Sequence, residues 1–495
     1  MTTAIDPPPG ADTSIAWCLL SHTNIGKTTL ARTLLADDVG EIQDAAHVTS
    51  QSQRYLLEKS GQGDTLWLWD TPGFGDSLRL YERLRQQGNP LGWFLTHVWD
   101  RWRDRPFYLS QRALLAARDH ADVMLYLVNA AEDPADAGYW ESEMRILQWM
   151  RKPVVVVLNQ IGSDTSPEQT TADLQRWQRA TAAFGDTVRS VRVLDAFTRS
   201  WRHESEVLGS IAPLLPAAKQ AAYQRLLQSR SARERERVEA SLQALAAQLA
   251  AAARLQEQAD APEQALWQRA LHLVKSRIKP APDASPQETG AMQRLLHQLQ
   301  AQDVECTQRL LALHRLDGNA ASQIQQQLRE QLQISTPIDP QAAGLWGALT
   351  AGAASGLGAD LLAGGMTLGA GAILGALVGA VTFAGAAWGA NKVFDQQAQR
   401  FTLSGPYLDA LAAQALLKYL VISHFGRGQG RYTSPAAPQR WNDAVQVALQ
   451  ARADELAALW PQLRGTVDPA APQQALLLLL AQCLDQALAR IDAVA

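Results

Sequence analysis

SHTNIGKTTL, residues 21–30, follows the apolar run IAWCLL (residues 15–20) and leads into ARTLLADD (residues 31–38). The stretch fits G-x-x-x-x-G-K-[ST], with Ser21 in place of the first glycine. A strand before it and a helix after it give this short loop its meaning. The turn between them converges backbone N–H groups on one point, where the positive end of the helix dipole adds to their pull on a phosphate. Lys27 is then placed to reach the β and γ oxygens of a triphosphate, and the Thr28 hydroxyl to sit on Mg²⁺. Gly26 is the position least open to replacement, because a side chain there would collide with the phosphates. Ser21, Asn24, Ile25, Gly26, Lys27, Thr28 and Thr29 are the expected phosphate-binding set.

Outward from this loop, TLWLWD (65–70), VMLYLVN (123–129), VVVVLN (154–159) and VRSVRVLD (188–195) read as further strands separated by amphipathic stretches. That rhythm predicts an α/β domain over residues 14–215, a mostly parallel sheet with helices on both faces. Asp70-Thr71-Pro72-Gly73 closes the second run, 43 residues after Lys27. There Asp70 can hold magnesium through water, while the Gly73 N–H can sense a γ-phosphate and so switch the loop that follows. Thr49, within His47-Val48-Thr49-Ser50, is the expected second hydroxyl ligand, ordered when the γ-phosphate is present. Lys27, Thr49 and Gly73 are thus the catalytic candidates, and Thr28, Thr49 and Asp70 the metal candidates.

Guanine is usually read by N-K-x-D after a later strand. Here Asn159-Gln160-Ile161-Gly162 keeps the asparagine but lacks the lysine and the carboxylate, so discrimination falls unless another acid such as Asp164 substitutes. Asp195, at the end of the sixth strand, is the candidate for the last base-contacting loop. Phe74 stands where a glutamine would align the attacking water. A phenyl ring cannot do so by hydrogen bonding, and slow intrinsic turnover is expected.

NIGKTT is similar to the phosphate loop of Era and TrmE, in the translation-factor class of GTPases, and DTPGFGDS is similar to septin sequences. More of the chain resembles a bacterial GTPase family whose C-terminal half is a domain of unknown function. GNPLGWFLTHVWDRWRDRP, VMLYLVNAAEDP, the glycine-rich segment and HFGRGQGRY carry that resemblance. It implies binding of GTP and GDP through Asn24, Gly26, Lys27, Thr28, Asp70 and Gly73.

The rest of the chain reads as helical. An insert over 79–112 carries Trp93, Phe94, Trp99, Trp102, Phe107 and Tyr108 among arginines. It suits either packing onto the α/β domain or docking of a second copy or another protein. Residues 216–340 form a stalk-like helical region, interrupted by KPAPDASP at 279–286. Residues 341–392 hold a glycine-rich apolar hairpin: Gly344 to Gly364 and Met366 to Ala390, at 21 and 25 residues, are each long enough to cross a ~30 Å hydrocarbon core. Gly371, Gly375 and Gly379 recur every fourth residue, a spacing that lets helices approach closely. Burial of the hairpin within protein is the alternative to a membrane. Residues 393–495 read as amphipathic helices broken by a loop at Gly426 to Pro438, by Pro461 and by the PAAP turn near Pro469.

Composition bounds the remaining choices. A net charge of −4 gives no general pull toward nucleic acid, and Cys18, Cys306 and Cys483, far apart, suit neither a disulfide framework nor a zinc site. Residues 1–13 lack a basic start and an apolar run, so a short disordered leader is expected rather than a signal peptide. The expected location is the cytoplasm, at the inner membrane if the hairpin inserts.

Overall fold

The computed structural model describes residues 14–36, 52–87, 90, 92, 105–161, 167–197, 199–258, 290–316, 400–403, 405–426, 436–465 and 468–493. The leader, Thr49, Trp93, Phe94, Trp99, Trp102, Gly162, Asp164, the 279–286 interruption and the hairpin at 341–392 lie outside the described residues.

The N-terminal unit is built on a six-stranded sheet, β1 (Ser14–Ser21), β2 (Gln53–Lys59), β3 (Thr65–Asp70), β4 (Val123–Asn129), β5 (Val154–Asn159) and β6 (Val188–Val193), in the order β2-β3-β1-β4-β5-β6. All five strands read from the sequence are present and parallel to one another. β2 is an addition to that reading: it pairs antiparallel with β3 at the edge, with a bulge between Leu56 and Glu58.

The long apolar runs are explained by burial on both faces of the sheet. Cys18, Leu20, Met124, Tyr126, Val128, Val154, Val156 and Leu158 meet one set of helices: α2 (Ser77–Leu84), α3 (Arg105–His120), α4 (Trp140–Gln148) and α5 (Pro167–Thr181). The alternate residues Ile15, Trp17, Leu19, Val123, Leu125, Leu127, Val155 and Val157 meet α1 (Lys27–Leu35), α6 (Trp201–Ile211) and the start of α7 (Ala217–Arg254). The fold is an α/β P-loop domain followed by a helical C-terminal half. Of the aromatic insert, Phe107 is buried in the first of these cores, with the Arg79 and Arg83 guanidinium groups over its ring.

The chain divides into two compact units, Met1–Arg237 with Ser423–Ser434 and Val494–Ala495, and Val238–Ile422 with Pro435–Ala493. Besides the second part of α7, the second unit contains α8 (Gly290–Leu313), α9 (Gly405–Ser423), α10 (Ala436–Gln450), α11 (Ala453–Gly465) and α12 (Ala470–Ala493). It also holds a ladder that the sequence reading did not include, β7 (Gln256–Gln258) against β8 (Arg400–Thr402).

Pro461 does not break its helix but sits inside α11, where buried Leu459, Trp460 and Leu463 keep the turn packed. The PAAP stretch starts α12, a position where the missing proline N–H has no helical partner to lose. Among the described residues, one helix, Ala470–Ile491, is long and apolar enough to cross a membrane by length and composition. Its buried Leu476, Leu480, Cys483, Leu484 and Ala487 recur at helical spacing, and the helix packs on α10 and α11.

Candidate nucleotide-binding site

β1 ends at Ser21, the chain turns through Asn24 (φ 65°) and Gly26 (φ 90°), and α1 begins at Lys27. Two residues with positive φ within three positions fold the loop back over the helix N-terminus. Within the protein itself Gly26 is confined as well: its φ is 90°, and a Cβ there would stand 2.8 Å from the Asn159 side-chain nitrogen. Ile25 and Thr29 are buried beside this turn.

The Lys27 ammonium lies back along the loop, donating to Ser21 Oγ at 2.8 Å and to the His22 carbonyl at 3.5 Å. Ser21, the departure from the usual glycine, is therefore the hydroxyl that holds the lysine. Thr28 Oγ1 donates to Asp70 Oδ2 at 2.6 Å, while Asp70 Oδ1 is buried with no hydrogen-bond partner. Burial pushes the Lys27 ammonium down to about 8 against the pull of Asp70 and Glu143. It also raises the Asp70 carboxyl, against the Thr28 hydrogen bond and the Lys27 charge. Both shifts describe charges stripped of water and short of counter-charge. A hydroxyl, a carboxylate with an unpartnered oxygen and an ammonium fit a divalent cation and a phosphate chain, the cation on Thr28 and Asp70 and the phosphates on Lys27.

Gly73 passes so close to the loop that a Cβ would stand 2.9 Å from Thr23 Cα and 3.1 Å from Lys27 Nζ. The next residue is stapled in place. Phe74 N donates to Ser21 O at 2.9 Å, Phe74 O accepts from Thr23 Oγ1 at 2.6 Å, and the ring is fully buried in the first core. Phe74 is thus a packing residue with its ring in the first core, in addition to being unable to align water.

Asn159 ties the two sides of the site together. Its Nδ2 donates to Ile25 O at 2.7 Å and its Oδ1 accepts from Ala196 N at 2.8 Å. The loop after β6 is thereby fixed to the phosphate loop. Asp195 lies in this loop, accepting from Phe197 N at 3.1 Å, and burial pushes its carboxyl up to about 6.

A second polar group behind the phosphate loop has no signature in the sequence. His22 Nδ1 is 2.7 Å from Glu143 Oε1, Tyr126 OH donates to Glu143 Oε2 at 2.5 Å, and the imidazole stacks on Tyr139 at 4.3 Å between ring centres. The pair is separated by 121 positions, so no local spacing could have revealed it.

This arrangement defines the N-terminal unit as a P-loop GTPase domain, and residues 17–160 match the family described as 50S ribosome-binding GTPase. Residues 182–476, more than half of the chain, match the family described as Domain of unknown function (DUF3482), and the protein belongs to that family. Two solved structures of Era are similar in fold. One, from Aquifex aeolicus with bound GDP and aluminium fluoride, is 18% identical, with a TM-score of 0.31 over 41% of this chain and 57% of that one. The other, in complex with MgGDPNP and a segment of 16S ribosomal RNA, is 19% identical, with a TM-score of 0.30 and the same two coverages of 41% and 57%. The match thus spans little more than half of either Era chain. The chloroplast translocon components atToc33 and psToc159 provide a third, at 14% identity and a TM-score of 0.24, over 37% of this chain and 70% of that one. No curated protein matches the sequence.

Proposed function

We propose that the protein binds GTP with Mg²⁺ and hydrolyses it slowly to GDP and phosphate, acting as a nucleotide switch. The observation that carries this reading is the meeting of Thr28 and Asp70 at 2.6 Å, with the second Asp70 oxygen unpartnered and buried. Water attacks the γ-phosphorus, the bond to the β-phosphate oxygen breaks, and the Lys27 ammonium stabilises the charge that moves onto that oxygen. A magnesium ion held by Thr28 and Asp70 would supply further neutralisation of the phosphate charge. Ser21, Asn24, Ile25, Gly26 and Thr29 shape the phosphate cradle, and Gly73 and Thr49 respond to the γ-phosphate. Asn159 and Asp195 line the base side.

Membrane association through residues 344–390, at the cytoplasmic face of the inner membrane, belongs to the same proposal. So does docking of a second copy or a protein partner through residues 79–112 and the helical region. The buried Phe74 favours a second reading, a nucleotide-binding scaffold with negligible turnover.

The test is binding of fluorescent GTP and GDP together with single-turnover phosphate release, with and without lipid vesicles, for the intact protein and Lys27→Ala. Micromolar or tighter binding lost in the variant supports the site, and measurable phosphate release separates switch from scaffold. Equal weak binding of GTP and ATP, unchanged by the substitution, would refute both readings. Flotation with vesicles in each nucleotide state tests the membrane role.

A further inference from the structure

The loop after β6 is held by two sets of contacts. One belongs to the GTPase domain: the Asn159 bond to Ala196 N, and Thr33 Oγ1 donating to Ala196 O at 2.7 Å. The other comes from the far end of the sequence. His424 to Gly426, directly after α9, pair with the loop through two backbone hydrogen bonds, Arg199 N to His424 O at 2.9 Å and Gly426 N to Phe197 O at 3.1 Å. Gly426 lies flat against the loop, and a Cβ there would stand 2.3 Å from Phe197 C and 2.4 Å from Ala196 O. Both are backbone atoms, so no rotamer change relieves the clash, and only glycine admits the approach. Arg199 itself is anchored: its guanidinium donates to Glu204 at 2.6 Å, and Arg230 closes on the same carboxylate.

We infer that His424–Gly426 is an intramolecular strap completing the base side of the nucleotide site, so that nucleotide binding and strap docking stabilise each other. The inference rests on the GTP-binding reading above. The base-side loop is short, and a nucleotide that must order it binds more weakly than one that finds it already fixed. Linkage then requires the reverse: a bound nucleotide holds the strap down. The strap follows directly on α9, which ends at Ser423. In this way the first residues of the HFGRGQGRY stretch act as a contact to the base-side loop.

Hydrogen exchange on the full chain tests this. GDP with Mg²⁺ is expected to slow exchange of the Arg199 and Gly426 amides about tenfold, within the usual range of coupling between sites. Gly426→Ala is expected to remove that protection at both amides and to speed release of fluorescent GDP about tenfold, with β1 and β5 amides as protected as before. If the variant loses protection in β1 and β5 as well, the wild-type exchange measurement decides alone. The inference is overturned if GDP protects the phosphate-loop amides but leaves Arg199 and Gly426 unchanged, or if a folded Gly426→Ala releases GDP at the wild-type rate. Failure of GDP to protect any amide would instead overturn the nucleotide reading, and the strap's coupling with it.

Discussion

Nucleotide binding should take up a proton at alkaline pH, and the size of that uptake follows from the position of Lys27. Burial lowers its ammonium from an ordinary 10.5 to about 8, because the buried chain end has lost its water and the neighbouring carboxylates only partly replace it. Bound phosphates add the missing negative charge and raise the value again. The free protein is then about nine-tenths charged at pH 7 and about one-tenth charged at pH 9, so binding at pH 9 must restore close to one proton and weakens about tenfold. Titration calorimetry of GDP and Mg²⁺ in two buffers of different ionisation enthalpy measures the uptake directly. Lys27→Met has no such proton to take up and serves as the control for ionisation of the base and phosphates. Equal uptake at pH 9 by wild-type and Lys27→Met would refute the reasoning, since it would mean that the lysine is already charged in the free protein or never meets the phosphates.

Three other outcomes are expected. Phe74→Gln should lower unfolding free energy by about 3 kcal/mol without raising GTP turnover, since the ring fills a core; denaturant melts and phosphate release would check both, and faster turnover at unchanged stability would contradict it. Asn159→Ala should cost about 2–4 kcal/mol, leaving the buried Ile25 carbonyl and Ala196 N–H unpaired, and weaken GTP and ATP binding alike; a loss confined to GTP would mean that the residue reads the base more than it ties the loops. Burial pushes the Glu204 carboxyl up, but Arg199 and Arg230 outweigh it and hold it at about 2, below its ordinary 4.5. Its contribution to stability is therefore full above pH 4.5 and fades as pH falls toward 2. Glu204→Gln should flatten that part of the acid-unfolding curve, and an unchanged acid limb would oppose it.

Much of the α/β domain was legible because its central strands are apolar at nearly every position. VVVVLN and VMLYLVN are buried on both faces, and residues buried this way leave little to mistake. QRYLLEK, residues 53–59, was not legible as β2: it lies at the edge, with Glu58 its one buried residue, and its alternation is interrupted by the bulge between Leu56 and Glu58. The phosphate loop and Asp70 were readable since local spacing fixes both. The role of Asn159 as a tie, the His22–Glu143 contact and the Gly426 contact were not, because each joins residues that only the fold brings together. Phe74 shows the limit from the other side. Its place after Gly73 told what chemistry it cannot perform, but only the packed ring told what it does instead.

The stapling of Phe74 also sets how a γ-phosphate signal can travel. Drawing the ring out of its core would cost about 2–3 kcal/mol, so a ligand that did so would need to favour the extracted form by about two decades in affinity. A nucleotide pair that differs by less leaves Asp70 to Phe74 as a fixed post, with any swing confined to the chain beyond it. The ratio of GTP to GDP affinity is thus a direct gauge of whether this post ever lifts.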